Sequence, residues 1–330
     1  MNTAEGKKSS FDFHAFFIKY NVYLILVAFM IVSALLSPDF LTWMNLGNLI
    51  KQNAAIVFMT EGMLFVLLTG GIDLSVGSMV AIGNVMCAYM LEKKGMGLGA
   101  AILVSILITL VLGAISGFLI AYAKMIPFVA TLATQTIGRG FIMMVANGAN
   151  IRISDKTLSN LSKVSLLAGT PFEQNIGQLT TALTLFIIIL IILFAFIHKY
   201  TAFGRIMQAI GSNEEAVRLA GINVSRVKML VYLICSLCCA LSGIIILTRT
   251  LTGVPTTGQG WELNAIASNV LGGTSLAGGS GSVVKTLVGV FIFALISNIM
   301  NLLGIPSYPQ DIVKGVIIVI SVLLQRTRRR

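Results

Sequence analysis

The sequence predicts an all-α polytopic membrane protein of about ten transmembrane helices, on three observations. Only 11% of its 330 residues are charged, where a soluble domain of this length carries about 25%. Apolar stretches recur along the whole chain at roughly the 20 residues a bilayer crossing needs, and the mean hydropathy is +0.93. The basic residues behind the net charge of +11 sit in short segments between those stretches, as the positive-inside rule requires. The charge is therefore read as topology, not as a nucleic-acid surface.

Seven uncharged stretches, at 20–38, 74–91, 95–123, 179–197, 229–248, 263–284 and 286–310, are predicted spans. Three segments that each hold a charge complete the ten: 54–69 with Glu61, 126–146 with Arg139, and 310–324 with Asp311 and Lys314. The first run follows Lys7, Lys8 and Lys19 and has no small-x-small cleavage site after it, so it is read as a retained span. An even number of spans puts both termini on one side, and the basic ends, including Arg326 and Arg328 to Arg330, make that side cytoplasmic. The expected organisation is a cytoplasmic segment at 1–20, one membrane domain at 21–325 with a cytoplasmic loop at 199–228, and a basic tail at 326–330. That loop carries Lys199, Arg205, Arg218, Arg226 and Lys228. Lys93, Lys94, Arg152, Lys156 and Lys163 fall in predicted outside loops, against the trend. The polar segment 147–178, with Asp155, Lys156, Pro171 and Glu173, reads as an outside loop or surface helix.

Three stretches break the apolar pattern. In 67–79 (LLTGGIDLSVGSM), glycines, Asp73 and Ser75 interrupt hydrophobic sequence. Non-helical backbone at membrane depth must be buried in protein or line water. Asp73 before Leu-Ser suits a helix N-cap, and the alternative is a broken helix beside a path. In 204–230, Ser212 or Asn213 can cap a helix of about two turns whose first turn holds Glu214 and Glu215. Gly221 supplies its stop, and the result is either a plain surface helix or a rigid lever gripped by a soluble partner. A capped, glycine-bounded helix in the longest basic loop favours the lever. In 258–283, Glu262 opens an apolar helix with small residues for close packing, which can also line a pore or face another subunit. The glycine-rich interruptions at 70–77 and 272–281 hint at an internal repeat around a pathway.

The strings GGIDLSVG, GSNEEAVRLAGI and ELNAIASNVLGGTSLAGGSGSV occur in order and together resemble the sugar and autoinducer branch of the ATP-binding cassette permeases, the ribose, galactose and xylose type. The chain departs from that pattern mildly, with Val217 and Ser268 where the family usually has alanine. The resemblance implies a type II-like importer permease in the bacterial inner membrane that works as a homodimer. It implies a cytoplasmic ATPase with tandem nucleotide-binding cassettes and an extracytoplasmic solute-binding protein as partners. The loop helix would then be the coupling helix, with Gly211, Asn213, Glu214, Glu215, Ala216, Arg218 and Gly221 as coupling residues. Candidates for the translocation path are Glu61, Asp73, Ser75, Asn264, Ser268 and Asn269. The solute expected is a pentose or hexose, its identity resting on the binding protein.

The residues agree with that division of labour. A P-loop needs a glycine before its lysine, and the nearest approach, 279–286, has Val284 there. No metalloprotease or nucleophile-elbow motif is present, so the chain is read as a transport subunit without catalytic residues, cofactor or metal, ATP being bound by its partner. Cys87, Cys235, Cys238 and Cys239 lie in apolar runs and read as small hydrophobes. Asp311 and Lys314, at i and i+3, are expected to pair on one helix face. Glu61 and Arg139 either pair across helices or line the path. The competing reading is an ion-coupled secondary transporter, which needs midplane carboxylates such as Glu61.

Overall fold

The computed structural model describes residues 13–154, 157–165, 167 and 181–327. The termini at 1–12 and 328–330, with Asp155, Lys156, Pro171 and Glu173, lie outside the described residues. Thirteen described helices follow one another: α1 (Phe13–Leu36), α2 (Trp43–Leu68), α3 (Val76–Glu92), α4 (Leu98–Ala121), α5 (Pro127–Val145), α6 (Thr157–Lys163), α7 (Ala182–Tyr200), α8 (Ala202–Ser212), α9 (Glu214–Leu219), α10 (Val224–Thr250), α11 (Trp261–Leu271), α12 (Val283–Leu302) and α13 (Ser307–Thr327). Two short strands, β1 (Ile151–Arg152) and β2 (Thr252–Gly253), pair antiparallel. Six described helices are long and apolar enough to cross a membrane: α2, α4, α5, α7, α10 and α12. The molecule is an integral membrane protein.

The centre of the bundle is α10, packed on α2, α3 and α4. One neighbour, α4, reverses much of the pattern of a soluble helix. On α4 the buried face is Ala101, Ser105, Thr109, Gly113, Ser116 and Gly117, while Leu103, Leu107, Val111 and Ile115 point outward. Lipid is as apolar as leucine, so small residues gather where backbones approach and large ones face the tails. α3 and α10 cross backbone against backbone. A Cβ on Gly83 would sit 2.8 Å from the Ala240 Cα, and one on Gly243 would press on the backbone of Val80 and Asn84. The Asn84 amide seals this crossing, donating to the Gly243 carbonyl at 3.1 Å and accepting from the Val254 N–H at 2.8 Å.

Two predicted spans differ from the structure. The second was expected at 54–69, yet α2 begins at Trp43. The polar residues Asn45 and Asn53 resemble a loop in sequence. In the fold Asn45 and Asn298 of α12 exchange amide hydrogen bonds at 3.1 and 2.8 Å, and Asn53 donates to the Leu49 carbonyl. The stretch 263–284 is helical only over Trp261–Leu271, 11 residues, about 16 Å of helix. Gly273, Gly278 and Gly279 adopt left-handed φ values of 85°, 88° and 79° and turn the chain back instead of continuing it.

The β1–β2 pair closes one end of the bundle by tying the chain after α5 to the chain after α10. The opposite end holds the C-terminus of α2, the helices α8 and α9, and the start of α10. There the Lys124 ammonium, in the α4–α5 turn, donates to Ser225 at 3.2 Å.

Candidate functional site

The second end is where the three interrupted stretches meet. At the C-terminus of α2 the chain turns through Gly70, with φ 77°. The Leu68 carbonyl, left open by the helix end, accepts the Gly279 N–H at 3.0 Å. A Cβ on Gly278 would lie 2.8 Å from the Gly211 Cα, 2.8 Å from the Gly70 N and 2.9 Å from the Gly70 Cα. One glycine from each stretch therefore meets in a backbone-to-backbone contact that no side chain can enter. There the last turn of α8 rests on the end of α2 and on the loop between α11 and α12.

From that seat the chain passes through Asn213, extended at φ −159°, into α9. The Asn213 side chain accepts the Ala216 N–H at 3.0 Å, so of the two predicted caps the structure uses Asn213. Gly221, at φ 81°, ends the helix. The helix between these signals has six residues, close to the two turns expected. Val217 is buried and fixes the helix to the body, while Glu215, Ala216, Arg218 and Leu219 face outward, Leu219 being 81% exposed.

The charges on α9 divide into inner and outer groups. Glu214 accepts a 2.6 Å bond from the Lys228 ammonium on α10 and a 3.3 Å bond from Arg218. Arg218 also reaches Glu215 at 3.1 Å. The Lys228 hydrogen bond is the main cause that holds the Glu214 carboxyl below its usual range. Glu214 thus fastens α9 to α10, and Glu215, Arg218 and Leu219 are left for a partner. Sequence reasoning did not single out Lys228, Leu219, Gly70 or Gly278. The signal for the glycines was their recurrence in all three stretches.

The path candidates scatter. Asp73 is fully buried and, in place of capping α3, closes a turn on Ser75: its Oδ1 accepts from the Ser75 N–H at 2.9 Å and from the Ser75 hydroxyl. The residue at the N-cap position of α3 is Ser75. Asn269 is a packing knot, donating to the Thr60 and Ala265 carbonyls at 3.1 and 2.9 Å and accepting from the Thr286 hydroxyl at 2.9 Å. Glu61 is buried on α2, and neither of its carboxylate oxygens has a hydrogen-bond partner among the described residues. Arg139 does not pair with it: its guanidinium donates to the Pro255 and Thr257 carbonyls at 2.6 and 3.0 Å. Asn264 and Ser268 line a small cavity of about 50 Å³ with Asn53, Ser297 and Lys314. Lys314 meets Asp311 at 3.6 Å, the local pair expected from their spacing. All four cysteines are buried and free, and no group of three or more His, Cys, Asp or Glu among the described residues is placed to hold a metal ion.

Residues 45–322 match the family described as "Branched-chain amino acid transport system / permease component". The chain belongs to this permease family. This permease is 40% identical over 324 residues to the ribose import permease protein RbsC of Bacillus subtilis (strain 168), covering 98% of this chain and 97% of that one. It is 38% identical to the RbsC of Escherichia coli (strain K12) over 92% of each chain. It is 33% identical to the xylose transport system permease protein XylH of the same strain, over 88% of this chain and 87% of the other. No solved structure matches the permease.

Proposed function

We propose that the chain is the membrane subunit of an ATP-driven importer of a monosaccharide, a pentose by the names of its relatives, in a bacterial inner membrane. Ten crossings follow if α1, α3, α11 and α13 are counted with the six longer helices, and both termini are then cytoplasmic. Two copies enclose the path, a cytoplasmic ATPase with two cassettes drives them, and an outside binding protein delivers the solute.

The observation that carries this reading is the seat of α9. A short helix capped at both ends stands on a three-glycine junction with no side-chain cushion. Close-packed backbone transmits displacement because it has no rotamers to absorb it. A push on Glu215, Arg218 and Leu219 therefore reaches the end of α2 and the α11–α12 loop directly. Both cassette states must contact α9 differently for ATP to shift the permease between outward-open and inward-open forms.

The test is reconstitution of the permease with the ATPase and binding protein encoded beside it. Uptake of D-ribose or D-xylose should require ATP and the binding protein. Replacing Glu215 and Arg218 with residues of opposite charge should leave the permease inserted but abolish uptake. Solute movement by the purified permease alone, driven by an ion gradient, would falsify the proposal.

A further inference from the structure

α5 exposes apolar residues such as Leu132, Ile137 and Met144, and beside them one polar side that α4 and α7 lack. On α4 the outward residues include Leu103, Leu107, Val111 and Ile115, and on α7 Leu185, Ile188, Ile189 and Ile192. On α5 Gln135, Thr136, Arg139, Gly140 and Met143 face a cleft of about 500 Å³ whose opposite side is Gln259, in the segment joining β2 to α11. Helical spacing stacks these residues on one side of α5. An arginine at the bilayer centre costs about 2.5–3.5 kcal/mol on insertion scales, so such residues face a bundle interior or water. Thr136, Gly140 and Gln259 are exposed, so the cleft is open.

The wall is held from behind. Arg139 is clamped to the Pro255 and Thr257 carbonyls through Nη1, and its Nη2 has no partner among the described residues. Gln135 donates to Glu262 Oε1 at 3.4 Å. Glu262 Oε2 sits 2.8 Å from where a Cβ of Gly77 would stand and has no partner among the described residues. Gly77 and Gly258 meet backbone to backbone beside it, so the first and third interrupted stretches join here as well. What faces the open cleft is uncharged: the carboxamides of Gln135 and Gln259 and the hydroxyl of Thr136. A sugar hydroxyl donates once and accepts twice, and carboxamides can serve it in both directions.

We propose that this cleft is the solute-contacting wall of the translocation path, where Gln135, Thr136 and Gln259 hydrogen-bond the hydroxyls of a neutral monosaccharide and Arg139 holds the wall in place. The assignment rests on the permease reading above. It adds a side: the cleft lies in the C-terminal half of α5, toward the β1–β2 end and away from α9, and meets solute arriving from the binding protein. Its volume falls within the roughly 300–1,000 Å³ of small-molecule sites.

The experiment uses the full complex of permease, ATPase and binding protein in proteoliposomes. Thr136→Cys and Leu107→Cys are each treated with a membrane-impermeant methanethiosulfonate; the native cysteines are buried. Thr136→Cys should react at least tenfold faster than Leu107→Cys. Equal, slow reaction of both would mean that the face is packed against lipid or a second copy, and would overturn the proposal. Separately, Gln259→Ala should lower D-ribose uptake about three- to tenfold, the loss of one hydrogen bond, and raise the ATP consumed per ribose. Unchanged uptake in Gln259→Ala and Gln135→Ala together would overturn the sugar contact. If the unsubstituted complex moves no ribose, the importer reading fails instead, and the Thr136→Cys labelling still decides whether the cleft holds water.

Discussion

Gly278→Ala is expected to break the junction beneath α9, and its cost can be separated into two parts. The residue sits at φ 88°, where an L side chain costs about 1–2 kcal/mol. The new Cβ would also lie 2.8 Å from the Gly211 Cα and 2.8 Å from the Gly70 N, backbone atoms that cannot rotate away. Overpacking of this kind adds about 1–3 kcal/mol. Gly273 supplies the matched control: it lies in the same loop at φ 85°, and a Cβ there meets nothing within 4 Å. Gly273→Ala therefore incurs the conformational cost alone. Thermal unfolding of the purified permease should rank wild type above Gly273→Ala and Gly273→Ala above Gly278→Ala, the second gap measuring the junction. In the reconstituted complex Gly278→Ala should consume ATP with little uptake, while Gly273→Ala should retain more of it. Identical melting of the two alanine variants would refute the three-glycine contact.

Three further outcomes follow from local chemistry. Asn213→Ala removes the cap of α9, about 1 kcal/mol, and should speed amide exchange across 214–219 about fivefold; unchanged exchange would show that the cap is idle. Glu214, held by Lys228 below the usual carboxylate value of 4.5, contributes stability that is present above that pH and lost as pH falls through its lowered folded value. Protection of α9 from exchange should fall in that acid window in the wild type and be insensitive to it in Lys228→Met. Asn269→Leu leaves the Thr286 hydroxyl and the Thr60 carbonyl without their buried partner and should cost about 1–3 kcal/mol in unfolding by denaturant. Adding Thr286→Val should recover part of that loss, and a purely additive double variant would argue against the coupling.

Features set by a few neighbouring residues were legible in the chain. Asn213 and Gly221 mark the ends of α9, because a cap and a left-handed stop act within one turn of the helix they bound. Asp311 and Lys314 meet because i and i+3 share a face. Local spacing misjudged positions whose polar groups are answered from far away. The second span was expected only from residue 54, and α2 starts at Trp43 with Asn45 answered by Asn298 of α12. Arg139 does not pair with Glu61, because the carbonyls of Pro255 and Thr257, more than a hundred residues along the chain, take its guanidinium.

The sequence by itself determined that this chain lives in a membrane, where most helices lie, and that a short capped helix stands in its longest basic loop. Each of those is a sum over neighbouring residues, hydropathy across one span or hydrogen bonds within one turn. Only the tertiary structure decided that Gly70, Gly211 and Gly278 touch, that Glu214 belongs to Lys228, and that one polar side of α5 faces Gln259 across a cleft. In lipid nearly every helix is apolar all round, so hydrophobicity leaves open which face meets which neighbour. Side-chain volume and the few buried polar groups settle that choice, and they act between residues far apart in the chain.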